Sequence, residues 1–228
     1  MENMQSIDLE HVDLKQARRN MVENQVRPWE VLDARVLETL NDLPRESFVP
    51  PSHRALAYAD LPLPLPHGES MMKPVVEGRA LQALELKPHE EVLEIGTGSG
   101  YFTACLARLA ARVVSVERHA DFVELARTRL RGAGIDNAEL LHADALHEFR
   151  PARAFDALAV TGAVAGVPAI FRDWLKPGGR MFVVAGTEPA MRALLLRRDG
   201  DGHFSEERLF ETDLPYLVGA EPAQRFAL

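Results

Sequence analysis

Val92-Leu93-Glu94-Ile95-Gly96-Thr97-Gly98-Ser99-Gly100 is the stretch whose reading decides the fold. A short apolar run without helical periodicity enters it, and Tyr101 to Leu109 leaves it in a helix-like pattern. That order reads as strand, glycine turn, helix, the opening unit of a nucleotide-type α/β domain. Three glycines within five residues let the chain turn tightly and bring bare amides close to a ligand. Gly-x-Gly also opens the dinucleotide fingerprint, so those two glycines do not separate the classes. Here the spacing is Gly-x-Gly-x-Gly, and an acid, Glu94, stands two residues before the first glycine.

A carboxylate at the strand end would repel a pyrophosphate. It suits a ligand with positive charge, such as the amino and sulfonium groups of S-adenosylmethionine (SAM). Glu117 closes the next apolar run, Arg112 to Val116, where a carboxylate accepts both ribose hydroxyls. On this reading Glu94, Gly96, Thr97, Gly98, Ser99, Gly100 and Glu117 bind SAM. The competing readings are a glycine-rich turn beside two ordinary surface acids, and a nicotinamide dehydrogenase.

The 228 residues, 46% of them hydrophobic and 26% charged, suffice for one well-filled domain with decoration or two small ones. A net charge of −8 argues against unaided binding to nucleic-acid phosphates. One cysteine, Cys105, has no disulfide partner in the chain and fits a reducing cytoplasm. It falls on the apolar face of the helix after the glycine turn, as a buried structural thiol does. The N-terminus is acidic and polar, without the pattern of a targeting peptide, and no apolar run approaches the length of a membrane span. The expectation is a soluble, cytoplasmic protein. The sequence has no internal repeat or low-complexity tract.

Upstream of the glycine turn, Ile7 to Val26 is expected as a helix ended by Pro28, with the acidic start up to about Asp13 frayed. Asp33 caps a second helix, Ala34 to Leu40. Pro44 to Pro51 forces an irregular path, and Leu61 to Pro66 is too apolar for a free linker, so it reads as an extended segment packed over the core. His67 to Pro74 is a loop and Val75 to Leu84 a helix. Residues 1–89 thus form an N-terminal helical addition with a loop laid across a site, packed on an α/β core of residues 90–228.

The core alternates strand and helix as a Rossmann-like, doubly wound sheet does. Strands are expected at Arg112–Val116, Ala138–His142, Phe155–Val160 and Arg180–Ala185, and helices at Asp121–Gly134 and Val167–Leu175. Arg192–Arg198 and His203–Phe210 read as an antiparallel hairpin, with a last strand near Leu214–Val218. Ligands in such sheets bind beyond the carboxyl ends of the strands, where strand order reverses. Asp144-Ala145 and Thr161-Gly162-Ala163 are collected there with the glycine turn, and Asp144 is placed to accept from the exocyclic amine of adenine. The alternative for Asp144 is an acid capping a turn.

Glu94 to Tyr101 (EIGTGSGY), Ser115 to Arg118 (SVER), Asp156 to Thr161 and Lys176 to Gly179 resemble a class I SAM-dependent methyltransferase. From about Val22 onward the chain resembles the protein-L-isoaspartate O-methyltransferase family, through Pro44 to Pro50, Leu63-Pro64-Leu65 and His67-Gly68. The resemblance implies an N-terminal helical addition, a Rossmann-like core, a modified C-terminal sheet and methylation of isoaspartyl carboxylates. It adds Arg118 and Ala145 to the cofactor residues, beside Asp144 and Thr161.

The acceptor loop departs from that family. Where the family reads Gln-Thr-Ile-Ser-Gln-Pro, this chain has Glu69, Ser70, Met71, Met72, Lys73 and Pro74. Ser70 keeps the first hydroxyl and is the candidate catalytic residue, while Met72 stands where the family has its second. Met71, Met72, Lys73 and His67 are the candidate substrate-binding residues, Lys73 as a partner for an acceptor carboxylate. His67 would serve as a base only for a hydroxyl or amine acceptor, and the resemblance makes it a loop-packing residue. A carboxylate acceptor is already ionised at neutral pH, so transfer rests on alignment and exclusion of water. No spacing suggests metal ligands, and no metal is expected. The expected function is isoaspartyl-type carboxylate methylation, with a small-molecule acceptor or a non-catalytic SAM sensor as alternatives. Oligomeric state is not legible.

Overall fold

The run Val92 to Ile95 is buried on both faces because it becomes the central strand of a mostly parallel sheet. The computed structural model describes residues 13–223, so the expected helix start at 7–12 and the frayed segment fall outside the described residues. Helices are α1 (Leu14–Met21), α2 (Ala34–Asp42), α3 (Pro74–Leu84), α4 (Tyr101–Leu109), α5 (Ala120–Gly132) and α6 (Ala169–Asp173). A two-stranded hairpin pairs β1 (Leu63–Pro64) with β2 (Ser70–Met71). The main sheet contains β3 (Glu91–Ile95), β4 (Arg112–Glu117), β5 (Ala138–His142), β6 (Phe155–Val164), β7 (Leu175–Ala185), β8 (Arg192–Arg198) and β9 (Phe204–Glu211).

Strand order is β5-β4-β3-β6-β7-β8-β9, parallel from β5 through β7 and antiparallel for the last two pairings. The chain winds outward from β3 through β4 and β5, then returns to the other side of β3 as β6. The reversal at β3 makes the crevice that holds the site.

Alternation along each strand feeds two apolar layers. Val92, Ala157, Ala159 and Phe182 face the layer shared with α2, α3 and α4, while Leu93, Ile95, Leu158 and Val183 face Phe171 and Trp174. The N-terminal helices are therefore part of the first layer. Asp33 caps α2 through the amides of Arg35 and Val36. Buried Arg180 on β7 donates to the carbonyls of Leu84 (2.5 Å) and Glu85 (2.9 Å) at the end of α3 and pairs with Glu90.

Four local expectations are corrected. The strand expected from Arg180 starts at Leu175, as β7. The helix expected at Val167–Leu175 shrinks to Ala169–Asp173, because Pro168 sits at its N-cap and Leu175 is drawn into pairing with Phe155. Strand β6 runs past Val160 to Val164, and its register shifts between Ala159 and Ala163. The expected strand at Leu214–Val218 is an extended segment with a single bridge, Tyr216 to Ala163. The Leu217 amide donates to the Ala163 carbonyl (2.9 Å), and the Ala163 amide donates to that of Pro215 (2.8 Å), laying the segment across the end of β6.

Candidate active site

The glycine turn is fixed from below by a buried hydroxyl network. Thr103 and Ser115 each donate to Glu94 Oε2 at 2.5 Å, and Ser115 Oγ lies 2.5 Å from Thr97 Oγ1. Glu94 is fully buried, and burial pushes its carboxyl up to about 8 against the pull of the two hydroxyls. Glu94 Oε1 has no hydrogen-bond partner among the described residues. It lies under the turn, outside the lining of the two cavities that meet above it.

Thr161, at the end of β6, donates to the carbonyls of Ile95 (2.9 Å) and Gly96 (2.6 Å). Gly96 has φ +95°, and a Cβ there would lie 2.3 Å from Thr161 Oγ1, so only glycine fits. A Cβ on Gly162 would meet the Leu217 side chain at 2.7 Å, so that glycine lets the C-terminal segment close over the strand end. Glu117 accepts from the amides of Gly98 (2.9 Å) and His119 (2.8 Å), which aims its carboxylate along the turn.

Above these residues opens a cleft that encloses about 710 Å³ of space, open solvent included. Glu117 and Arg118 edge it, and Ile95, Val116, Phe122 and Leu146 give it apolar walls. Ala145 lines it, but Asp144 does not. Asp144 Oδ1 accepts from the amides of Leu146 (2.8 Å) and His147 (3.2 Å), and Oδ2 pairs with Arg118 at 3.1 Å. The His147 ring, 3.2 Å from Oδ2, and the Leu146 and His147 amides hold its carboxyl below the ordinary range despite partial burial. In this arrangement Asp144 caps a turn, the alternative weighed for it, and pairs with Arg118 at the cavity edge.

A second cavity of about 330 Å³ lies beside the first, lined by Met71, Met72, Glu77, Phe102, Thr97 and Ser99. The two share one wall, made by Leu65, Ser70, Gly96, Gly98 and Thr161. Ser70 is thus brought to the boundary between them, on the β1–β2 hairpin that crosses the glycine turn. Beneath the second cavity Arg45 and Glu77 are buried together, with Arg45 Nε 3.1 Å from Glu77 Oε2. Arg45 also donates to the carbonyls of Met72 (2.7 Å) and Ala57 (2.8 Å), pinning the acceptor loop to the chain before it. Desolvation raises the Glu77 carboxyl, and the guanidinium opposes this.

Lys73 and His67 stand apart from both cavities. Lys73 Nζ lies 3.6 Å from Asp213. His67 packs at the rim, stacked on His119 with centroids 4.1 Å apart and 2.9 Å from the Asp121 carboxylate. Sequence reasoning missed Leu65, Glu69, His119, Phe122 and Leu217 as lining residues. It also missed Arg45 and Glu77. The proline run that places Leu65 was read as packed over the core, with the loop after it across a site, and was the usable signal. The contacts from the C-terminal segment and from α5 left no local mark.

The model of the protein-L-isoaspartate (D-aspartate) O-methyltransferase family matches residues 16–219. A protein-L-isoaspartate O-methyltransferase of Koribacter versatilis is 36% identical over 202 residues, covering 89% of this chain and 90% of its own. Protein-L-isoaspartate O-methyltransferase 2 of Marinobacter nauticus is 37% identical over 210 residues, covering 92% and 96%. A structure described as a beta-aspartate methyltransferase from Plasmodium falciparum, in complex with S-adenosyl-L-homocysteine, superposes with a TM-score of 0.74 at 21% identity. That superposition covers 88% of this chain and 97% of the other, a likeness of fold. With the family model spanning nearly all the described residues, the chain belongs to the protein-L-isoaspartate (D-aspartate) O-methyltransferase family.

Proposed function

We propose that the protein is a SAM-dependent O-methyltransferase that esterifies the side-chain carboxylate of L-isoaspartyl residues in proteins and peptides. The observation that carries this reading is the wall shared by the two cavities, with Ser70 on it. The larger cavity fits SAM by its donor set. The glycine turn without side chains, an acidic edge at Glu117 and apolar walls suit a ribose, a cationic amino acid and an adenine. Glu117, Arg118, Ala145, Thr161 and the turn from Gly96 to Gly100 would hold it, with Glu94 and Asp144 supporting the turn and Arg118.

When bound, SAM supplies a methyl group activated by a sulfonium. The chain's own task is to present an ionised carboxylate in line with it and keep water out. No base is required, because an aspartyl-type carboxyl is deprotonated at neutral pH. Ser70 donates to the acceptor carboxylate and sets its angle, and Met71, Met72 and Phe102 supply the dry wall behind it. Met72 offers no hydroxyl, so orientation rests on Ser70. Lys73 is engaged elsewhere and takes no part in this reading. No helix among the described residues is long and apolar enough to cross a membrane. Cys105 is buried and free, which suits the cytoplasm where we place the protein.

The test is methyl transfer from labelled SAM to an isoaspartyl peptide, with the aspartyl peptide as control and S-adenosylhomocysteine binding measured on the same preparation. Base-labile label on the isoaspartyl peptide alone is expected. Tight cofactor binding with no transfer overturns the isoaspartyl acceptor and favours a small carboxylic acid suited to the methionine-lined cavity.

A further inference from the structure

The fold brings two histidines and an acid together at the rim of the larger cavity. His67, at the turn of the β1–β2 hairpin, stacks on His119 at the start of α5 with planes 4° from parallel. Both rings meet the edge or face of Phe122, at 5.3 and 5.4 Å. His67 Nε2 lies 2.9 Å from Asp121, and His119 Nε2 lies 3.8 Å from Glu69. One donor atom from each of His67, His119 and Asp121 lies within 4.8 Å of the other two.

We propose that His67, His119 and Asp121 form a binding site for a divalent cation of the zinc class, which clasps the hairpin to α5. Two imidazoles and a carboxylate are the donor set of three-ligand zinc sites, with a fourth position left for water or for Glu69. Zinc bonds of about 2.0–2.2 Å set tetrahedral donors roughly 3.3–3.6 Å apart, so donors that lie within 4.8 Å need contract by no more than about 1.5 Å. The hairpin can supply that movement. The His67 side chain is 41% exposed at the hairpin turn, and tilting the stacked rings aims their nitrogens at one point. The positive end of α5 opposes a cation there. Asp121 and Glu69 set two negative charges against it.

The sequence shows no ligand motif because His67 and Asp121 are 54 residues apart and meet only when the hairpin folds over the glycine turn. Glu69, next to β2, and His119 both line the larger cavity, so a cation here fixes the rim of that cavity. A stacked pair that merely packs the hairpin against Phe122 has the same geometry but no affinity for metal.

Zinc alone, titrated calorimetrically into the metal-free full chain without cofactor, separates these. The expected result is one zinc per chain with micromolar or tighter Kd and a raised Tm. His67→Gln and His119→Gln should each weaken binding at least tenfold, with thermal unfolding in chelator confirming that each variant folds. Asp121→Asn provides a third variant whose packing is nearly unchanged. Absence of binding at 0.1 mM zinc (on the order of a 5 kcal/mol interaction), or equal binding by all three variants, overturns the proposal. Because no cofactor is present, either outcome is independent of the methyl-transfer reading.

Discussion

The Thr161 hydroxyl lies where a side chain on Gly96 would have to be: a Cβ there would stand 2.3 Å from Oγ1, while that hydroxyl binds the carbonyls of Ile95 and Gly96. The strand end and the glycine turn are thereby locked together, and the turn cannot relax without losing both bonds. Gly96→Ala adds a clash to a strained φ of +95°. It should weaken S-adenosylhomocysteine binding at least 100-fold by calorimetry, about 2.7 kcal/mol or more.

Burial of Glu94 gives stability a pH dependence with a defined sign. Its carboxyl is raised from 4.5 to about 8 in the folded chain. Between those values the folded chain keeps a proton that the unfolded chain has released, so stability falls as pH rises through this window. The slope from this one group is up to about 1.4 kcal/mol per pH unit. Glu94→Gln is neutral throughout and keeps an oxygen for Thr103 and Ser115. Urea unfolding at pH 6 and pH 8 should show the wild type losing more stability than the variant.

Arg45 and Glu77 form a pair that is costly to break singly. Arg45→Met leaves the Glu77 carboxyl buried without its cation and frees the Met72 carbonyl. A loss of about 3–5 kcal/mol is expected in denaturant unfolding. Arg45→Met with Glu77→Leu should recover much of it, because the uncompensated charge is gone.

We propose that residues 1–89 and 90–228 fold as one unit. Arg180 draws its acceptors from both sides of that boundary, Leu84 and Glu85 before it and Glu90 after it. The first apolar layer likewise joins Val36, Leu40 and Leu81 to Val92 and Phe182. A chain limited to residues 90–228 should show no cooperative thermal transition, whereas the full chain shows a single one.

What was legible in the sequence was what short-range chemistry dictates. The strand, glycine turn and helix from Glu91 to Leu109 follow from an apolar run, three glycines and helical periodicity, and Asp33 as a cap follows from its place before Ala34. Ser70 as a residue of the acceptor side came from the resemblance alone, and the fold places it where the two cavities meet. The protein bonds of Asp144 and Glu94 were not legible, because an acid at a strand end looks the same whether it meets a ligand or the protein. The carboxylate of Asp144 is engaged by the Leu146 and His147 amides, and that of Glu94 by Thr103 and Ser115. The segment around Leu217 was read as a strand yet makes only one bridge, Tyr216 to Ala163, among the described residues. The His67–His119 stack depends wholly on how the hairpin lies over α5.

The central claim is that methyl group and carboxylate meet at the wall where Ser70 stands between the two cavities. Steady-state transfer to an isoaspartyl peptide by Ser70→Ala, with S-adenosylhomocysteine affinity measured alongside, tests it most directly. Loss of one orienting hydrogen bond predicts a kcat/KM lower by about 10- to 100-fold, roughly 1–3 kcal/mol, at unchanged cofactor affinity. An unchanged kcat/KM would contradict the claim and remove Ser70 from the acceptor site.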